Sequence, residues 1–107
     1  MPKHIRHHPR VAQKAGVELR SGDVTARCQA QDVSLAGCYL ETAQGIAGEI
    51  VDLVFLGSDD GEIAHCKAKV LRRELRPNGR QGLAVRFLQV GWGDLFGLAR
   101  LVAPGLA

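Results

Sequence analysis

Two short stretches of the chain carry the residue types that recognise a compact anion. In Arg6-His7-His8-Pro9-Arg10, two guanidinium forks stand four residues apart. Each can hold a phosphate through paired hydrogen bonds or lie on the face of a purine. Pro9 stiffens the spacer and biases His8 toward an extended backbone. In Asp32-Val33-Ser34-Leu35-Ala36-Gly37, Asp32 and Ser34 are two apart, which predicts that they share one face of a strand end. A carboxylate there accepts hydrogen bonds from the N–H donors of a base, and a hydroxyl both donates and accepts. Gly37 permits a positive φ and the close approach of a flat ligand to the backbone. From the residues alone, a solvated basic tail and an Asx-type turn capping a strand remain open as well.

Other chemistry fits less well. His4, His7 and His8 stand among four cations near the N-terminus, and His65 is distant from them. A metal site needs imidazoles fixed by surrounding structure, so no metal is expected. Asp32 and Ser34 have no nearby histidine to complete a nucleophile–base set, and Ser34 lacks a G-x-S-x-G elbow. Asp59, Asp60 and Glu62 read as turn formers, and no Gly-rich phosphate loop is present. The expectation is a binding protein without a cofactor, not an enzyme. Cys28, Cys38 and Cys66 form an odd set with no C-x-x-C pair. They read as small, partly buried thiols in a reducing cytoplasm.

The elements that must position these groups fit in 107 residues, 46% hydrophobic, 23% charged and 5% aromatic. That is one domain with a modest core. The longest purely apolar run is Leu53-Val54-Phe55-Leu56, far short of the roughly 20 residues of a membrane span, and the basic start leads into no apolar signal segment. Of the fourteen Lys and Arg, four (Lys3, Arg6, Arg10 and Lys14) lie in residues 1–14 with no acid, while the other ten face all eleven acids. A near-neutral body behind a basic arm suits a small polyanion better than a long nucleic acid, which is usually met by a whole basic face.

The body reads as β. Ala64, Cys66, Ala68 and Val70 alternate with His65, Lys67, Lys69 and Leu71, and Leu83, Val85 and Phe87 alternate with Ala84 and Arg86. That is the period of half-buried strands. Between them, the Asn78-Gly79 pair is a two-residue hairpin signal. Residues 50–56 read as a strand buried on both faces, and 16–20, 24–31 and 38–42 as further strands. Trp92, Leu95, Phe96, Leu98, Ala99 and Val102 form an apolar stripe on a helix over 93–103 that Pro104-Gly105 stops. About six strands and one closing helix predict a closed or nearly closed barrel with a helical plug or lid. Residues 1–12 show neither periodicity and read as a flexible arm.

Arg-x-x-x-Arg followed 22 residues later by Asp-x-Ser-x-x-Gly resembles the signature of PilZ domains. The arm, the strand-rich body, the Gly82-Leu83-Ala84-Val85-Arg86-Phe87 strand and the closing helix follow that family's order. The resemblance implies an all-β, six-stranded antiparallel barrel that binds the bacterial second messenger cyclic di-GMP. It further implies that Arg6 and Arg10 hold phosphates and stack on guanine, while Asp32, Ser34 and Gly37 line the site of one guanine. Ala36 stands where a second glycine is frequent, and Ile5 precedes the first arginine. The expected function is a cytoplasmic receptor that changes shape on binding and relays the signal to an unidentified downstream protein. The alternative is an interaction adaptor of the same fold with little nucleotide affinity.

Overall fold

A computed structural model describes residues 15–57, 59 and 61–102; the expected arm over 1–12 lies outside the described residues. The period-2 segments become six strands: β1 (Ala15–Ser21), β2 (Val24–Gln31), β3 (Gly37–Thr42), β4 (Ile50–Leu56), β5 (Glu62–Leu75) and β6 (Gln81–Phe87). They pair antiparallel throughout, in the order β1-β2-β3-β6-β5-β4, and the β1–β4 pair closes the barrel. One helix follows, α1 (Trp92–Val102). No helix among the described residues is long and apolar enough to cross a membrane.

A six-stranded barrel has a narrow interior, and the inward residues divide by size to fill it. β2 and β5 supply small ones, Ala26, Cys28 and Ala30 and then Ala64, Cys66 and Ala68, while β1, β4 and β6 supply Leu19, Leu53, Phe55, Leu83 and Phe87. Phe55 and Phe87 meet edge to face with centroids 5.7 Å apart, a geometry their ring quadrupoles favour. All three cysteines are free and buried, more so than expected from sequence.

The connections differ in detail from the sequence reading. Leu75 pairs with Gln81, and the Arg76 carbonyl accepts the Gly79 N–H at 2.9 Å. With Gly79 at φ 84, the hairpin is a type I turn closed by a left-handed glycine rather than a two-residue Asn-Gly turn. Pro77 fits its second position. β5 outruns its alternation because a bulge falls between Val70, which pairs Val85, and Arg72, which pairs Ala84. In β4 the outward Val54 is buried, but Ile50 is half exposed, so two-faced burial holds only in the strand's middle.

The helix begins at Trp92, one residue before the expected start, and residue 103 lies outside the described residues. Its buried face is only part of the expected stripe, because Trp92 and Phe96 stay outside it. A Cβ at Gly97 would stand only 1.8 Å from the Ile63 carbonyl oxygen, so the helix touches β5 at this glycine. Gly97 and Leu98 are buried and Leu101 and Val102 pack on the core, whereas Trp92 is 78% and Phe96 62% exposed. Asp94 accepts the His65 backbone N–H at 2.8 Å, tying the first turn to the same strand.

Candidate ligand-binding groove

Between β2 and β3 the chain turns at Asp32, whose φ of 52 is the left-handed conformation that only glycine adopts freely. Asp tolerates it better than most residues, and the turn leaves the Asp32 side chain exposed. Val33 drops into the core and anchors the loop. Ser34 is buried, and its hydroxyl is spent inside the turn. It donates to the Gly37 carbonyl at 3.2 Å and accepts the Ala36 N–H at 3.1 Å and the Gly37 N–H at 3.2 Å. The Ser34 N–H donates to the same carbonyl at 2.9 Å. Asp32 and Ser34 therefore do not share one strand face, because β2 ends at Gln31 and the left-handed Asp32 already belongs to the turn. Ser34 shapes the loop that presents Asp32.

Gly37 also differs in its reason. Its φ is not among the positive ones, and a Cβ there would lie 2.2 Å from the Val85 carbonyl oxygen and 3.2 Å from Arg86 Cα. The missing side chain lets β3 approach β6 closely. The Phe87 N–H donates to the Ala36 carbonyl at 2.8 Å, fastening the loop to β6.

These residues open onto a groove of about 350 Å³ on the outer face of β3, β6 and β5. Asp32, Ser34 and Gly37 line one side, Ala84 and Arg86 belong to β6, and Leu71 and Arg72 come from the β5 bulge. Tyr39 also lines it; its hydroxyl donates to Glu74 Oε1 at 2.6 Å and its ring lies 5.6 Å from the Arg76 guanidinium carbon. Burial and then the bond to Glu74 raise the Tyr39 pKa, while that bond holds the Glu74 carboxyl below its ordinary value. Tyr39 lies across Gly82, where a Cβ would meet its hydroxyl at 1.7 Å, so this ring position requires the glycine. A carboxylate acceptor, two guanidinium forks, an apolar edge at Leu71 and a small-residue floor suit a flat, polar, anionic ligand.

The structure thus brings Asp32, Ser34 and Gly37 together, whereas Arg6 and Arg10 lie outside the described residues. Sequence reasoning missed Tyr39, Leu71, Arg72 and Arg86. One signal was present: Leu71 is apolar in the solvent-facing phase of its strand. Two other hollows are less suitable. In one, of about 430 Å³, Arg80 is already paired with Glu41 at 3.5 Å. In the other, of about 360 Å³, Arg73 donates to the carbonyls of Ile46, Ala47 and Gly48.

The PilZ domain model matches residues 4–102 of the chain. Among solved structures, the inhibitor of motility MotI/DgrA of Bacillus subtilis superposes with a TM-score of 0.75 at 18% identity, covering 94% of this chain and 51% of that one. The present chain thus spans about half its length. The PilZ domain of YcgR from Escherichia coli with c-di-GMP gives 0.68 at 17% identity, covering 94% and 91%. The PilZ domain of CeSA from a cellulose synthesizing bacterium gives 0.63 at 19%, covering 92% and 98%. At these identities the likeness is one of fold. No curated protein matches the chain significantly.

Proposed function

Because the chain belongs to the PilZ domain family, we propose that it is a cytoplasmic receptor for cyclic di-GMP that binds in the groove beside Asp32 and relays the signal to a partner protein. The observation that carries this reading is the conformation of Asp32. A left-handed non-glycine residue costs about 1–2 kcal/mol, less for Asp, and such strain is retained where the surroundings over-determine it. Here it turns an exposed carboxylate toward a groove that also carries two guanidinium groups.

In this reading Asp32 accepts hydrogen bonds from the N–H donors of a guanine edge. Ser34 and Gly37 hold the loop that aims it. Arg6 and Arg10 bind the phosphates and stack on guanine. The body needs no catalytic or cofactor chemistry for this. Calorimetric titration with cyclic di-GMP and cyclic di-AMP tests the reading. The parent should prefer the guanine ligand, and Asp32→Ala should lose most of that preference. A shallow salt dependence is expected for a dianion, and a steep one would indicate a long nucleic acid instead.

Exposed Trp92 and Phe96 on α1 favour a second reading, an adaptor that docks partners with little nucleotide affinity. A parent protein that shows no heat with either dinucleotide would select it.

A further inference from the structure

We propose that Arg72 and Arg86 contact the ligand directly, as a second pair of groove cations alongside the two motifs; this rests on the receptor reading above. The cations elsewhere on the barrel near acids are engaged: Arg20 with Glu18 at 2.7 Å, Lys67 with Asp52 at 3.1 Å, and Arg76 and Arg80 with Glu41 at 3.5 Å. Among the described residues, neither Arg72 nor Arg86 has a carboxylate within 4.0 Å. Both line the same groove. Without them the only charged lining group among the described residues is Asp32, which by itself repels a dianion.

Two features of the ladder support this. A regular β5 would send alternate side chains to the two faces. The bulge after Val70 instead places consecutive residues, Leu71 and Arg72, along the groove, and bulges re-aim side chains in this way. Further, Lys69 pairs directly with Arg86 across β5 and β6, and both are exposed. Like charges directly opposite each other destabilise a sheet. An anion seated beside them offsets that repulsion. Ala84, the register partner of Arg72, leaves room for a ring between the guanidinium and Tyr39, which pairs with Ala84 from the other side. Guanidinium forks there match either phosphate oxygens or the O6/N7 edge of guanine.

The test is calorimetric titration of the full chain with cyclic di-GMP at several salt concentrations, with thermal unfolding alongside. Arg72→Ala and Arg86→Ala should each weaken binding by about tenfold or more, as expected for loss of a charge-assisted bond. Arg86→Ala should unfold at or above the parent temperature, because its repulsion with Lys69 is gone. Lys69→Glu keeps both groove arginines but offers Arg86 an ion-pair partner, so it should raise the unfolding temperature and weaken binding. Loss of a phosphate contact flattens the already shallow salt dependence further. Loss of a guanine contact leaves the slope and narrows the preference over cyclic di-AMP. If the parent binds and both arginine variants bind within about twofold of it, the inference is wrong and the receptor reading survives. If the parent does not bind, both fall.

Discussion

A single methyl group at position 37 separates two explanations of its glycine. If Gly37 serves only the ligand, Gly37→Ala lowers affinity and leaves the free protein as stable as before. The structure argues otherwise, since the new Cβ would lie 2.2 Å from the Val85 carbonyl oxygen and 3.2 Å from Arg86 Cα. Comfortable heavy-atom contacts are about 3.5–4.0 Å, and both neighbours are backbone, so β3 and β6 must part by about 1 Å. Overpacking of this kind costs about 1–3 kcal/mol. The Phe87 bond to Ala36 and the Ser34–Gly37 turn bonds lie beside the clash and add to that cost. Each kcal/mol lowers the midpoint of a domain this size by about 4–8 °C, which gives a drop of roughly 5–20 °C. Thermal unfolding of the ligand-free protein by circular dichroism reads it directly. Gly45→Ala is the control, because a Cβ there meets nothing within 4 Å, and it should be neutral or mildly stabilising. A Gly37→Ala midpoint within about 2 °C of the parent would refute the strand-approach explanation.

Arg10→Ala should weaken cyclic di-GMP binding more than tenfold, since a charge-assisted bond is worth about 1.5–3 kcal/mol; unchanged calorimetry removes the arm from the site. Asp32→Gly should relieve the left-handed backbone and raise the unfolding midpoint while abolishing guanine preference, a pairing that denaturation and competition assays read separately. Burial raises the Cys28, Cys38 and Cys66 thiols, Cys66 from 9.0 to about 12. The unfolded chain sheds these protons first, so their contribution to stability is complete below pH 9 and declines as the pH rises from there toward 12. Denaturant midpoints measured from pH 7 to about 10.5 should fall above pH 9, less so in Cys66→Ala; identical pH profiles for the two proteins contradict the burial argument.

Strands with one buried face were legible because burial imprints a period of two. Residues 64–70 of β5 and 83–87 of β6 carry it plainly. The far half of β5 was not legible, since the bulge at Leu71 breaks the phase and leaves Arg72, Arg73 and Glu74 as an unpatterned polar run. Helix α1 carries a wider apolar stripe than it can bury, and its contact through Gly97 buries Leu98 and packs Leu101 and Val102 while leaving Trp92 and Phe96 exposed. At the groove, the Asp32 and Ser34 residue types suggested ligand chemistry, but a serine that caps a turn and one that faces a ligand look alike in sequence. Gly37 is explained by a strand far along the chain. Arg72 and Arg86 carry no local mark, because only the β3-β6-β5 pairing sets them beside Asp32.

The central claim, that cyclic di-GMP occupies the groove beside Asp32, is tested most directly by a two-dimensional amide NMR titration of the full chain. Saturable shifts should concentrate at residues 32–37, 71–72 and 84–86, with the strand pairing of β1 and β4 on the far side little affected. Amides of residues 4–12 should shift with the same affinity. A spectrum unchanged at saturating ligand, or shifts centred on the hollow beside Arg27, Glu41 and Arg80, would contradict the account.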